Sequence, residues 1–165
     1  MADERRGPTL LKAAAVGALS GLAGVAAMTA GEKVEQRFTH RPNSYVPART
    51  LLTLLGRRPG ESEKPPVWNH LMHWGTGAVL GALRGVWAVT GIRGPLANTK
   101  HTVVRLGFDQ TLENTTGAGA PPSSWPAKEF VVDVVHKAVY AVVTGVVADR
   151  LIRPSLESRR GTRSH

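Results

Sequence analysis

Long apolar stretches alternate along this chain with shorter polar ones rich in proline and glycine, and the apolar stretches have helical length. The first, "AAAVGALSGLAGVAAMTAG" from Ala13 to Gly31, carries no charge between Lys12 and Glu32. It is close to the roughly 20 residues a helix needs to cross a hydrocarbon core of ~30 Å. Gly17 and Gly21 form a GxxxG pair and Gly24 follows one turn on, so a second helix can approach this face closely. The next apolar stretch starts after Pro65-Pro66 and reads "VWNHLMHWGTGAVLGALRGVWAVTGI", with Gly77, Gly81 and Gly85 repeating at four to make a matching smooth ridge. Trp68 and Trp87 in it are separated by about 28 Å of helix, the spacing of the two aromatic belts of a bilayer. Arg84, near its far end, is placed to reach an interface by extending its stem.

A third helix is predicted from near Pro95 to before Gly117. In "HTVVRLGFDQTLENTTG", His101, Arg105, Asp109 and Glu113 recur at four, which sweeps about 120° of one helix side. Each formal charge would cost roughly 2.5 to 3.5 kcal/mol at the centre of a lone membrane helix, so this side either turns inward among other helices or the segment does not cross. The last stretch, "PAKEFVVDVVHKAVYAVVTGVVADRLI", is valine-rich but too long without a turn signal for a strand. Asp133, His136, Tyr140 and Thr144 give it a polar stripe of its own, and Glu129, Asp133 and Lys137 form a second row.

The pattern predicts an all-α chain of a single domain: a four-helix transmembrane bundle with helices over about 8–38, 66–92, 96–115 and 126–152, a long basic connector between the first two, and a basic tail over 153–165. Within the connector, Pro47 to Leu55 has Pro in its first turn and leucines at 51, 52, 54 and 55, a short helix suited to a membrane surface or to packing on the bundle. An export signal is the competing reading of the N-terminus, with "RRGPTLLK" as its basic region and Val25-Ala26-Ala27 as its cleavage site. Cleavage there would leave the later stretches without a first helix.

Charge changes the picture less than position does. A net charge of +9 draws the chain to polyanions, nucleic acid or anionic lipid. The cations cluster beside the apolar stretches, at Lys33 to Lys64 and at Arg150, Arg153, Arg159, Arg160 and Arg163, which favours lipid head groups as the partner. No helix-turn-helix, RRM or zinc-finger pattern is present to read bases, so the runner-up, a soluble basic helical protein on nucleic acid, has only the charge and a mean hydropathy of −0.12 behind it. Four spans with both termini in the cytoplasm place about ten cations inside and about eight outside, and the uncharged loop "TTGAGAPPSSWPA" falls outside. The expected location is the inner (plasma) membrane, and the glycine ridges also suit packing on a second copy.

Chemistry is sparse. The chain has no cysteine, which excludes disulfides, thiolate zinc sites and a Cys nucleophile. Gly-x-Ser-x-Gly, phosphate-loop, Rossmann and His-Glu-x-x-His patterns are absent, so no catalytic residue and no cofactor is assigned. The ionisable residues that remain, His73, His101, Arg105, Asp109, Glu113, Asp133 and His136, with Tyr140, form a predicted buried polar network: a proton, ion or small-solute pathway, or a structural spine. The alternative is a metal site drawn from His70, His73, Asp109, Glu113, Asp133 and His136, since "HLMH" and "DVVH" partly match the carboxylate-x-x-His elements of dimetal bundles.

Through "HLMHWGTGAVLGALRG" and "VVHKAVY" the chain resembles small bacterial membrane proteins of the YagU-like inner-membrane family. The resemblance implies an integral inner-membrane protein and carries over no reaction and no catalytic residues.

Overall fold

The computed structural model describes residues 6–156. Among them are five α-helices and no strand: α1 (Arg6–Thr39), α2 (Val46–Leu54), α3 (Pro66–Val89), α4 (Gly94–Thr115) and α5 (Ala127–Leu151), with a 3-10 turn at Pro122–Ser124. Each apolar stretch of the sequence is one long helix. The short helix of the connector also forms, which makes five helices rather than four.

Local chemistry sets the boundaries. α3 starts at the Pro65-Pro66 pair, where a missing N–H costs nothing, and stops at Gly91, whose φ of 94° is left-handed. The Ile92 N–H returns to the Trp87 carbonyl at 2.8 Å, closing the helix three residues before the predicted end. α4 opens at Gly94-Pro95, where Asp149 of α5 accepts a hydrogen bond from the Gly94 N–H at 3.0 Å, a carboxylate at the positive end of the helix dipole. α2 ends at Gly56, with the Arg57 N–H bonded to the Leu52 carbonyl at 2.9 Å.

The long helices run alternately up and down, so the N-terminus of α1 and the C-terminus of α5 share one end while α2 and the loop before α5 share the other. α1 packs along both α3 and α5, α4 lies on α5, and α2 rests on α3. Glycine makes the α1–α3 contact possible. A Cβ on Gly17 would lie 2.7 Å from Gly85 Cα, and one on Gly81 2.6 Å from Gly21 Cα, so any side chain here would meet backbone that cannot yield. Gly24 does not extend this seam. Its missing Cβ leaves room for Tyr140 and Thr144 of α5, because one turn further along α1 the neighbouring helix has changed. Val25 is wholly buried in the cluster that holds Met28, Leu80, Tyr140 and Ala141. Cleavage at Val25-Ala26-Ala27 would therefore remove the helix that α3 and α5 both pack against.

The buried set mixes small apolar residues with charged and polar ones, and many large apolar side chains stay outside. The largest fully buried side chains include Arg84, Tyr140 and His101, whereas Leu19, Val79, Leu96, Val103, Val135 and Leu151 are all more than half exposed. By length and composition, α1 and α5 alone are apolar enough to be candidate spans. α3 and α4 fall short because they carry the charged and imidazole side chains that the sequence pattern singled out.

Candidate functional site

The four-residue repeat on α4 points into the bundle. His101 and Arg105 are buried, Asp109 and Glu113 are partly covered, and Val103, between them in sequence, is 63 % exposed on the outer face. The charged row is an inner seam rather than a solvated face.

Reading up this seam gives the site its levels. At the bottom, His101 Nε2 is 3.1 Å from the Leu80 carbonyl, and its ring lies between Trp87 (5.9 Å between centroids) and Tyr140 (5.4 Å). Trp87 thus packs on the interior histidine, so its role is not confined to an aromatic belt. Tyr140 donates its hydroxyl to the Gly77 carbonyl at 2.7 Å, while the missing side chain of Gly77 makes room for Val25 of α1. Arg105 stacks over the Tyr140 ring at 4.8 Å. Its Nε donates to Asp109 at 2.9 Å, while Lys137, buried on α5, lies 3.6 Å from the same carboxylate and also pairs with Asp133. Arg105, Asp109, Lys137 and Asp133 form one chain of alternating charge, two residues from each of two helices.

Above this chain lies a cavity of about 580 Å³ at the end of the bundle away from the termini. Its walls come from the last turns of α1, from α2, from the first half of α3, the second half of α4, the loop before α5, and the start of α5. Glu32, Asp109, Glu113, Glu129 and Asp133 supply carboxylates; Lys33, Arg41, Arg105 and Lys137 supply cations; His70, His73 and His136 supply imidazoles. Arg41 bridges to Glu35 at 3.0 Å, and Lys33 donates to Asn43 at 2.7 Å. Asn69 ties α3 to the connector, accepting from the Ala48 N–H and donating to the Ser44 carbonyl, both at 3.2 Å. Thr29 Oγ1, His73 Nε2, Arg105 Nη1 and Asp133 Oδ2 are buried on these cavity-lining residues without a hydrogen-bond partner.

The opposite end of the bundle holds a cluster that spacing did not reveal. Arg84 is not at an interface: it is fully buried, and its Nη2 donates to Asp149 at 2.8 Å and to Asn98 at 3.2 Å. Gly145 leaves the space that Asn98 and Arg84 occupy. Arg93 adds bonds to the carbonyls of Asp149 and Ile152. One signal was legible: an arginine flanked by glycines in an apolar helix needs a partner, and Asp149 is the acid nearest the end of α5.

Of the predicted network residues, His73, Arg105, Asp109, Glu113, Asp133 and His136 all line the cavity, and Arg105, Asp109 and Asp133 are joined through Lys137. His101 and Tyr140 do not line it; they pack on each other beneath, where Arg105 stacks on the Tyr140 ring. The predicted metal set does not assemble in the same way. Among the described residues no three His, Asp or Glu side chains are grouped so as to hold a metal ion, and His70 stands exposed at the rim. Arg159, Arg160 and Arg163 of the basic tail, and Arg5, lie outside the described residues.

No family model matches the chain, and no curated protein or solved structure gives a match.

Proposed function

We propose that this protein is an integral membrane bundle in which α1, α3, α4 and α5 cross the bilayer, and that it receives a small polar solute or ion in the cavity at one end. The observation that carries the reading is the burial of charge beneath exposed apolar faces. Arg84, His101, Arg105 and Lys137 are inside while valines and leucines of every long helix face outward, an arrangement that suits lipid and would leave large apolar patches in water. α3 and α4 do not qualify as spans alone, but their charged groups pair inside the bundle, so lipid meets mainly their apolar faces.

The resemblance to the YagU-like family agrees with an inner-membrane location. Both termini would lie in the cytoplasm, where Arg150 and Arg153 meet anionic head groups, and the cavity would open on the other face beside Arg57 and Arg58 of the connector. Alkaline carbonate extraction of membranes tests the reading. The full-length protein should stay in the pellet, and its release would sink the proposal. Because the chain lacks cysteine, single substitutions test topology directly. Ser123→Cys should react with an impermeant maleimide in intact spheroplasts, and Arg153→Cys only after permeabilisation.

A further inference from the structure

The cavity is a built site, and its free hydrogen-bonding atoms describe its ligand. Arg105 is 3 % exposed, lines the cavity, and has one guanidinium nitrogen, Nη1, without a partner. Leaving such a charged donor buried and unpaired is costly, and a small turn of the guanidinium toward the cavity lets a ligand group accept from it. At the other end of the alternating chain the Asp133 Oδ2 acceptor is also buried and free. The chain Arg105, Asp109, Lys137, Asp133 has no net charge, and it terminates in an unused cationic donor and an unused anionic acceptor.

A ligand that satisfies both ends brings an anionic group to Arg105 and a cationic group to Asp133. The remaining walls agree: five carboxylates stand against four cations, so a pure anion meets surplus acid and a pure cation meets Arg105 and Lys137. His73 Nε2 and Thr29 Oγ1 add two neutral partners, and Met28, Met72 and Trp125 supply apolar wall for a short carbon backbone. From these ends we infer that the cavity binds a small zwitterion of amino-acid size, its carboxylate on Arg105 and its ammonium group toward Asp133. This deepens the reading of the cavity as a solute site in a membrane bundle and rests on it.

The test uses the full-length protein in nanodiscs, with binding followed by the thermal midpoint and by Trp fluorescence. Glycine, β-alanine and γ-aminobutyrate are compared with acetate and methylammonium at equal concentrations. At least one of the three zwitterions should bind at least about tenfold more tightly than acetate or methylammonium. Arg105→Lys, which keeps the charge and loses the planar fork, and Asp133→Asn should each weaken that binding by about tenfold or more. Acetate or methylammonium binding as well as the best zwitterion would overturn the inference, as would no binding of any zwitterion. Unchanged affinity in both variants would do the same. Since the ligand series is run on the unaltered protein, it decides the matter even if a variant fails to fold. Carbonate extraction separates the two failures: a protein that stays in the membrane but binds no zwitterion loses this inference alone, and one released by carbonate that still binds β-alanine loses the membrane reading alone.

Discussion

The two ends of the bundle use the same residue types to opposite effect. At the end near the termini, Arg84 is buried with Asp149, Asn98 and the α4 N-terminus around it, and Arg93 closes the cluster from outside. At the other end, Arg105 is as deeply buried, but its pairing with Asp109 leaves one nitrogen unused beside a cavity. The difference is one of partner number rather than charge: Arg84 donates to Asp149, Asn98 and the Ile92 carbonyl with Nε left over, whereas Arg105 makes one such bond, to Asp109, with Nη1 left over. With its three partners Arg84 acts as a clamp that fixes where α3, α4 and α5 meet, while Arg105, with fewer, stands in the wall of the cavity. Only about two helical turns separate Thr76, which lines the cavity, from Arg84, roughly 12 Å at 1.5 Å per residue. The barrier between the two ends is thus the layer of Tyr140, His101 and Trp87.

The comparison breaks most readily at the clamp. Arg84→Ala strands Asp149 and Asn98 and should cost about 3–5 kcal/mol, read as a fall in the midpoint of SDS-induced unfolding. The double variant Arg84→Met/Asp149→Leu removes both charges and should recover most of that loss. If the double variant is as unstable as the single one, the clamp is not an ion pair in the energetic sense. Next in size, Gly81→Val drives a side chain into the backbone of Gly21 and should destabilise by about 1–3 kcal/mol or more. Gly107→Ala, on the exposed side of α4 with nothing within 4 Å of the added carbon, should instead be neutral or gain up to about 1 kcal/mol. An equal loss at both positions would mean the α1–α3 seam does not depend on close approach.

Smaller effects are expected at the cavity end. Arg105→Gln removes a charge that is only partly paired, so its loss of stability should be well below that of Arg84→Ala in the same SDS assay. A loss as large as that of Arg84→Ala would show that both ends are structural and remove the contrast. Smallest of all, Glu113→Gln removes a partly covered carboxylate that forms no ion pair, and it keeps the side chain's shape beside Gln110, 3.5 Å away. Stability should therefore stay unchanged or rise by up to about 1 kcal/mol as the desolvated charge is removed.

Much of this was legible in the residues. The glycine repeats on α1 and α3 predicted the ridge that they form, because a four-residue spacing of side-chain-free positions has one geometric consequence on a helix. The inward turn of His101, Arg105 and Asp109 was also predictable as one of two options, since their charge forbids lipid. The partners across helices were not. Arg105–Asp109 and Asp133–Lys137 lie four apart on one helix each, but that Lys137 also reaches Asp109 on the other helix, and that Gly24 makes room for Tyr140 rather than for α3, depends on how the helices rotate about their axes, which no single helix encodes. Arg84 was misplaced for the same reason: in one dimension it sits near a helix end, and only the return of α5 brings Asp149 against it.

The sequence alone determined the number and length of the apolar helices, their small-residue faces and the segregation of charge onto α4 and α5, because these follow from periodicity and from the cost of burying charge. Tertiary structure decided how many partners each buried charge has. Partner number is a property of three helices meeting at one level: Arg84 finds three hydrogen-bond partners there, and Arg105, in the wall of the cavity, finds one in Asp109.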